Sequence, residues 1–201
     1  MKRLLMMLLA LTSLAAFSVA ATTMASGRDH PEDDSTQACQ TATGHDVGDD
    51  NGGDTESSDD RTARIASEGA DDDQIEGTES DDHESGDVGD DEIDGQKGDD
   101  DLCGDEGDDH LQGGPGDDNL HGGTGNDVIA GQSGADDEFG EAGSDRISGG
   151  RGHDHLRGGR GRDHINSDDG VKDVVNCGPG EDTVRADTAD AVASNCEHVS
   201  R

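Results

Sequence analysis

Aliphatic residues recur at a fixed interval along most of the chain, two positions after an aspartate. From Glu68 onward Asp returns every nine residues, and after one inserted residue near Ser167 the same phase resumes. The in-phase aspartates are Asp73, Asp82, Asp91, Asp100, Asp109, Asp118, Asp127, Asp136, Asp145, Asp154, Asp163, Asp173 and Asp182. The aliphatic residue that follows is Ile, Leu or Val in every unit except two, which carry Glu84 and Glu138. This period predicts a repeat architecture, because a nine-residue unit cannot bury one aliphatic side chain alone.

Glycine completes the pattern. Gly opens every unit from Gly77 to Gly158, and a second Gly follows three residues later from Gly89 to Gly161. The full form G-G-x-G-x-D-x-U-x, with U a large aliphatic residue, occurs at 113–121, 122–130, 149–157 and 158–166. Glycine permits positive φ and close backbone approach, so the first six residues are predicted to turn tightly. The last three are predicted to form a short strand with its aliphatic side chain on one face.

Two units per turn would place residues eighteen apart directly above one another. One sheet would then hold Ile75, Ile93, Leu111, Ile129, Ile147, Ile165 and Val184. The other would hold Glu84, Leu102, Leu120, Glu138, Leu156 and Val175. A carboxylate buried inside such a stack costs several kcal/mol unless it is protonated or paired, on the order of magnitude seen for buried charges. We therefore expect a local slip that turns Phe139 inward and Glu138 outward.

Composition limits the interpretation further. The 201 residues carry 50 Asp+Glu against 14 Lys+Arg, a formal net charge of -36, with no Trp or Tyr. Low hydrophobicity with high charge excludes an ordinary globular enzyme core and leaves a disordered chain or a repeat fold assembled by counter-ions. Nucleic acid is excluded as a partner, because its phosphates would be repelled. The regular repeat favours the ion-assembled fold.

The first twenty residues differ from the rest. Lys2 and Arg3 precede an apolar stretch from Leu4 to Phe17, and small residues end it at Ser18-Val19-Ala20. This pattern predicts a signal peptide over 1–20, cleaved after Ala20, with Ala25 as a second candidate. An uncleaved anchor is the alternative, but the apolar stretch is short for a membrane span. The mature chain is thus expected to be secreted and extracellular, with no membrane span, where disulfides form and calcium is abundant.

The repeats resemble the hemolysin-type (RTX) calcium-binding nonapeptide repeats of secreted bacterial proteins, and the overall organisation looks like that of small actinobacterial members. The resemblance covers residues 68–185. It implies an all-β fold, a right-handed parallel β-roll, in which Ca²⁺ ions lie between successive turns. It also implies that the thirteen in-phase aspartates bind these ions together with turn carbonyls. Oxygen ligands alone suit a hard cation, and flexible carbonyl ligands suit Ca²⁺ better than Mg²⁺.

Some repeats depart from the family pattern. The glycine at position two of the unit is replaced by Asp87, Gln96, Asp105, Gln132 or Glu141. Calcium sites at those turns are expected to be weaker or distorted. Residues 21–67 lack a stable nine-residue phase and are predicted to form a disordered acidic segment.

The C-terminal residues 186–201 are predicted to cap the roll, because solenoids need a closed end. Cys177 and Cys196 flank this region and are expected to form a disulfide, as in the C-terminal ends of the proteins that the chain resembles. Cys39 and Cys103 could pair or stay free, since four cysteines allow three connectivities.

Other side chains are expected to be solvated. This group includes the histidines at positions five, seven and nine of the repeats and the position-five aspartates. Several arginines in the late repeats could bind an anionic cell-envelope or extracellular polymer, or could relieve self-repulsion. No catalytic residue is assigned, and the chain is not expected to be an enzyme. The sequence predicts a calcium-dependent structural or cell-exterior interaction protein; the alternative is a relative of an RTX toxin or enzyme C-terminal domain that has no catalytic domain of its own.

Overall fold

The computed structural model describes residues 63–65 and 72–201, in which every regular element is a β-strand. The strands alternate along the chain between two parallel sheets, which we name after one core residue of each. The Leu120 sheet contains β1 (Ala63–Ile65), β3 (His83–Ser85), β5 (Asp101–Glu106), β7 (Asn119–Thr124), β9 (Asp137–Gly143), β11 (His155–Arg157), β12 (Arg160–Gly161), β14 (Val174–Asn176) and β16 (Ala191–Val192). The Ile93 sheet contains β2 (Gln74–Glu76), β4 (Glu92–Asp94), β6 (His110–Pro115), β8 (Val128–Gly134), β10 (Arg146–Gly152), β13 (His164–Ser167), β15 (Thr183–Ala186) and β17 (His198–Ser200). The result is the β-solenoid that the nine-residue period predicts.

Most strands pair in parallel with the strand two elements further along the chain, in the predicted register. The short strand β12 lies beside β9, so β10 pairs with β13 and β11 pairs with β14. Leu111 lies opposite Ile129, and Ile129 lies opposite Ile147. After the inserted residue, Ile165 lies opposite Val184, nineteen positions on. The buried aliphatic side chains form one thin core between the sheets. One aliphatic residue per unit is therefore enough, because stacking joins the units into a continuous column.

Glycine is required where the turns stack backbone on backbone. A Cβ atom added to Gly107 would lie 1.5 Å from the carbonyl oxygen of Gly89, in the turn below. No side chain fits in that space. The position-two residues of the turns, by contrast, carry side chains in five units, and all five have φ between 65° and 75°. The turn geometry is thus kept even where the sequence departs from the glycine pattern.

The predicted slip at Glu138 is wrong. Strand β9 stays in register with both neighbours, with Glu138 between Leu120 and Leu156 and Phe139 between His121 and Arg157. Glu138 points into the core and is fully buried, whereas Phe139 lies on the outer face. A one-residue slip would reverse every side chain of the strand and break pairing on both sides.

Phe139 also gains contacts outside the roll. Its ring stacks on His121 at 4.5 Å between centroids, and the Arg157 guanidinium lies 5.3 Å from the ring centre. His121 is consequently 2% exposed, so its predicted solvation is wrong, although the exposure of His110, His155 and His164 is as expected. These outer-face contacts favour the arrangement that leaves Glu138 inside.

Short strands form both ends of the described solenoid. Strand β1 lies within the segment 21–67 and pairs with β3. Within residues 186–201, which are predicted to cap the roll, β16 and β17 add a further strand to each sheet. The predicted disulfide joins Cys177 to Cys196 and ties this last turn to the core. Cys103 is also disulfide-bonded.

The remaining predictions for the N-terminal part, the signal peptide over 1–20 and the role of Cys39, lie outside the described residues. Within the part of the chain that the structure describes, no helix is long and apolar enough to cross a membrane.

Candidate metal centre

The thirteen in-phase aspartates stand at the start of the strands, along the two edges of the solenoid. Their side chains form two rows because successive turns stack. One row contains Asp73, Asp91, Asp109, Asp127, Asp145, Asp163 and Asp182. The other contains Asp82, Asp100, Asp118, Asp136, Asp154 and Asp173. The sequence predicts this division for the eleven aspartates before the insertion, and Asp173 and Asp182 continue it.

Within each row, one carboxylate oxygen is used to join turns. The backbone N–H of each aspartate donates to Oδ1 of the next aspartate in the row, at 2.7–3.1 Å. Asp91 N–H, for example, donates to Asp109 Oδ1 at 2.9 Å. The carboxylate therefore caps the N–H at the turn–strand junction below it, which would otherwise be a buried donor without a partner.

The second oxygen, Oδ2, has no such role. In twelve of the thirteen aspartates it is buried and has no hydrogen-bond partner. The exception is Asp82, whose Oδ2 accepts from the backbone N–H and hydroxyl of Thr78. A row of buried acceptors without donors is unusual in a folded protein, because each leaves a desolvation cost that no hydrogen bond offsets.

The electrostatics of the two rows is equally unfavourable for bare carboxylates. Burial raises the pKa of Asp109, Asp136 and Asp145 to about 7 in each case. The hydrogen bond from the turn below lowers the pKa in part, and neighbouring carboxylates of the same row raise it again. Burial also raises the pKa of Asp91, Asp100, Asp118, Asp127, Asp154, Asp163, Asp173 and Asp182. Ionised side chains in this setting need a positive partner.

The turns bring backbone carbonyls to the same oxygens. A Cβ atom placed on Gly104 would lie 2.3 Å from Asp109 Oδ2 and 2.6 Å from the carbonyl oxygen of Gly122, in the next turn. Gly140 has the same surroundings, formed by Asp145 Oδ2 and the carbonyl of Gly158. The glycine at position one thus keeps open a small space in which carboxylate and carbonyl oxygens of two turns converge.

These donors fit Ca²⁺. Carboxylate and carbonyl oxygens are the ligands that Ca²⁺ takes in proteins, in flexible sets of about six to eight. Within residues 72–201 no group of three or more His, Cys, Asp or Glu side chains is arranged to hold a metal ion. Carbonyls would therefore have to complete each site, as the glycine-lined spaces allow.

Asp190 and Glu197 extend the two rows, although they lie outside the nine-residue phase. Asp173 N–H donates to Asp190 Oδ1, and Asp182 N–H donates to Glu197 Oε2, at 3.1 and 3.0 Å. The spacings are 17 and 15 residues instead of eighteen. The signal that could have found them is local: Asp190-Ala-Val192 and Glu197-His-Val199 repeat the acid-x-aliphatic order.

The position-five aspartates form a second, exposed pair of rows. Each accepts at Oδ1 from the position-five N–H eighteen residues later, as Asp90 does from Asp108 at 2.8 Å. The same contact recurs for Asp72, Asp81, Asp99, Asp108 and Asp117. These side chains are solvated as predicted, but they also join turns, in the direction opposite to the buried rows.

A family comparison agrees with this geometry. The RTX calcium-binding nonapeptide repeat matches the chain in four copies, at residues 69–102, 76–111, 104–137 and 139–171. No curated protein and no solved structure matches the chain.

Proposed function

The chain belongs to the RTX calcium-binding nonapeptide-repeat family, whose repeats bind Ca²⁺ at several sites, and on this premise we propose that it is a secreted protein whose solenoid folds when Ca²⁺ binds along its two buried aspartate rows. The ligands would be the thirteen in-phase aspartates, joined by Asp190 and Glu197 at the C-terminal end, together with turn carbonyls.

The row of buried Oδ2 atoms without donors carries this proposal. Each in-phase aspartate gives one oxygen to the backbone and leaves the other beside a glycine-lined space. Bound Ca²⁺ would supply the positive charge that these carboxylates otherwise lack. Without it, the folded chain has to hold many like charges out of water, which opposes folding.

Ligand binding to the folded state alone stabilises that state in proportion to the logarithm of ligand concentration. Scarce intracellular calcium would leave the chain unfolded during export, and millimolar calcium outside would drive folding. The signal peptide predicted over 1–20 would direct this export.

The role we propose is a structural or interaction module of the cell exterior. A solenoid built only of calcium-binding repeats is of a non-catalytic type, and we assign no catalytic residue. Late repeats that carry Arg146, Arg151, Arg160 and Arg162 are less acidic and offer a surface for an anionic extracellular polymer.

The test compares two adjacent carboxylates that differ in burial. The mature chain, Asp109→Asn and Asp108→Asn would be titrated with CaCl₂ to millimolar concentration and followed by far-ultraviolet circular dichroism. Asp109→Asn keeps the Oδ1 acceptor but removes the buried charge, so the calcium concentration at half-maximal signal should rise at least about threefold. Asp108→Asn keeps its own backbone contact on the surface and should change the midpoint less than about twofold.

Absence of any calcium-dependent β signal in the unmodified chain would refute the proposal. Equal midpoints for the two variants would refute the assignment of the buried aspartates as ligands. Titration with MgCl₂ provides the ion control, because Mg²⁺ demands nearly octahedral geometry and gives up its water reluctantly.

A further inference from the structure

Glu138 is a buried acid that the repeat pattern does not explain. It occupies the aliphatic position of β9, between Leu120 and Leu156, and its side chain is fully buried. Neither of its carboxylate oxygens has a hydrogen-bond partner. The Gly131 N–H favours the charged form without reaching hydrogen-bond geometry. In the described part of the chain, no Lys, Arg or His forms an ion pair with it.

A carboxylate in this place is costly for the fold. An isolated buried charge is strongly destabilising, so a leucine at this position would stabilise the core more than a glutamate does. Burial raises the pKa of Glu138 well above its usual range, and the carboxylates of Asp154 and Asp136 raise it further. The Glu138 carboxylate therefore faces negative charges of the aspartate row and, among the described residues, no positive charge that would balance them.

The side chain reaches the edge of the core at one particular turn. A Cβ atom placed on Gly131 would lie 2.4 Å from Asp136 Oδ2 and 2.7 Å from Glu138 Oε1. The two oxygens are thus close enough for one Ca²⁺ ion to contact both, at the usual ligand distance of about 2.3–2.6 Å. Asp136 Oδ2 is itself buried and without a partner.

Other turns have a different oxygen in this position. At Gly77, Gly104 and Gly140, a Cβ atom placed on the glycine would lie 2.6 Å from the carbonyl oxygen of the next turn, which is beside the aspartate. At Gly131 the corresponding oxygen nearest to the added Cβ after Asp136 Oδ2 is Glu138 Oε1, at 2.7 Å. This turn therefore brings a second carboxylate to the space beside the aspartate.

We propose that Glu138 is an additional side-chain ligand, which together with Asp136 forms a two-carboxylate cation site at the Gly131 turn. The inference rests on the proposed calcium binding and adds to it a site that the repeat motif does not contain. Calcium affinity rises with the charge of the ligand set, so this site should be tighter than its neighbours. It should also make the middle of the solenoid depend most strictly on calcium.

The first experiment measures calcium retained by the full mature chain. Native mass spectrometry during titration with a calcium chelator would compare the unmodified chain with Glu138→Gln, Glu138→Leu and Asp137→Asn. We expect the unmodified chain to retain one ion at a free calcium concentration at least about tenfold lower than the variants at Glu138. Asp137 lies on the same strand but on the outer face beside His155, so Asp137→Asn should retain that ion.

Glu138→Leu guards against a folding artefact, because it extends the leucine column that Leu120 and Leu156 define. If the unmodified chain and both Glu138 variants release all ions at the same calcium concentration, the Glu138 site is wrong while the proposed function stands. If the unmodified chain binds no calcium at all, the proposed function is wrong and the Glu138 site is wrong with it.

A second measurement observes the side chain directly in the unmodified protein. The ¹³C resonance of the Glu138 carboxyl can be assigned as the glutamate signal that Glu138→Gln removes. As a ligand, it should move to the ionised position when CaCl₂ is added. A signal that remains at the position of a protonated acid at saturating calcium would overturn the proposal.

Discussion

Five turns of the solenoid place a residue other than glycine in the left-handed backbone region. They are Asp87, Gln96, Asp105, Gln132 and Glu141, with φ between 65° and 75°. An L-residue in that region costs about 1–2 kcal/mol. Some of these side chains offset the cost through contacts with another turn: Gln96 Nε2 donates to the carbonyl of Gly77, and Asp105 Oδ2 accepts from Ser85 Oγ.

Gln132 offers the clearest test of this backbone cost. Its amide makes only a long, exposed contact of 3.4 Å with Gln112. We expect Gln132→Gly to raise the free energy of unfolding by up to about 1 kcal/mol, because relief of strain outweighs the greater freedom of glycine in the unfolded chain. Urea unfolding at saturating calcium would measure it. Glu141→Gly is the matched control, since it also removes the partner of the His121 ring and should gain less; a loss of stability in Gln132→Gly would contradict the explanation.

Strands and rows of aspartates could be predicted because both follow from one period. Stacking with two units per turn sets the register, as Ile93 opposite Leu111 illustrates, and the same register aligns Asp91 with Asp109. The orientation of Glu138 and Phe139 could not be predicted in this way. It depends on the outer-face contacts of Phe139 with His121 and Arg157, which arise only when neighbouring turns are in place.

The C-terminal turn was harder to predict because its spacing changes. The acids that accept from the N–H groups of Asp173 and Asp182 are Asp190 and Glu197, which lie 17 and 15 residues further on and not eighteen. The glycine-rich turns give way there to residues such as Asp187 and Asn195. Asp187 N–H donates to Asp190 Oδ2, and Asn195 Nδ2 donates to Asn176 Oδ1, so side chains replace the stacked glycine backbone.

The disulfide at this end provides a test at the level of the element. It links Cys177, after β14, to Cys196, before β17, across 19 residues. Closing a loop of that length stabilises by about 3 kcal/mol in the chain-entropy model. We expect Cys177→Ala with Cys196→Ala to speed amide hydrogen exchange in β16 and β17 much more than in β5 and β7, because repeat units open locally. Equal acceleration throughout the solenoid would contradict a local role for the bond.

At the scale of the whole molecule, folding has to overcome the repulsion between its many negative charges. The net charge of -36 is concentrated in part on two buried rows, where it can be neutralised only by protons or cations. The exposed position-five rows are solvated and need no such partner. Calcium and acid are therefore alternative ways to stabilise the same fold, and they should compete.

The sign of this competition follows from the pKa values. Unfolded aspartate has a pKa of about 3.9, whereas burial raises the pKa of Asp109, Asp136 and Asp145 to about 7 in the folded chain. Between these values the folded state binds more protons than the unfolded state, so the stability of the calcium-free fold rises as pH falls from above 7 towards 4. Calcium binding must release those protons, so calcium affinity should fall over the same interval.

We therefore expect the calcium-free chain to have more β signal at pH 5 than at pH 8, and the folded chain to bind Ca²⁺ more weakly at pH 5. Circular dichroism without calcium would measure the first effect. A calcium-selective electrode would measure the binding affinity at the two pH values, with proton release on calcium addition at pH 6.5 as an independent readout. Asp109→Asn, Asp136→Asn and Asp145→Asn combined provide the control, because general charge reduction would persist in that variant while its response between pH 6 and 8 should shrink. A calcium-free chain that loses β signal on acidification, or a calcium affinity that does not depend on pH, would show that the buried rows are not where protons and calcium compete.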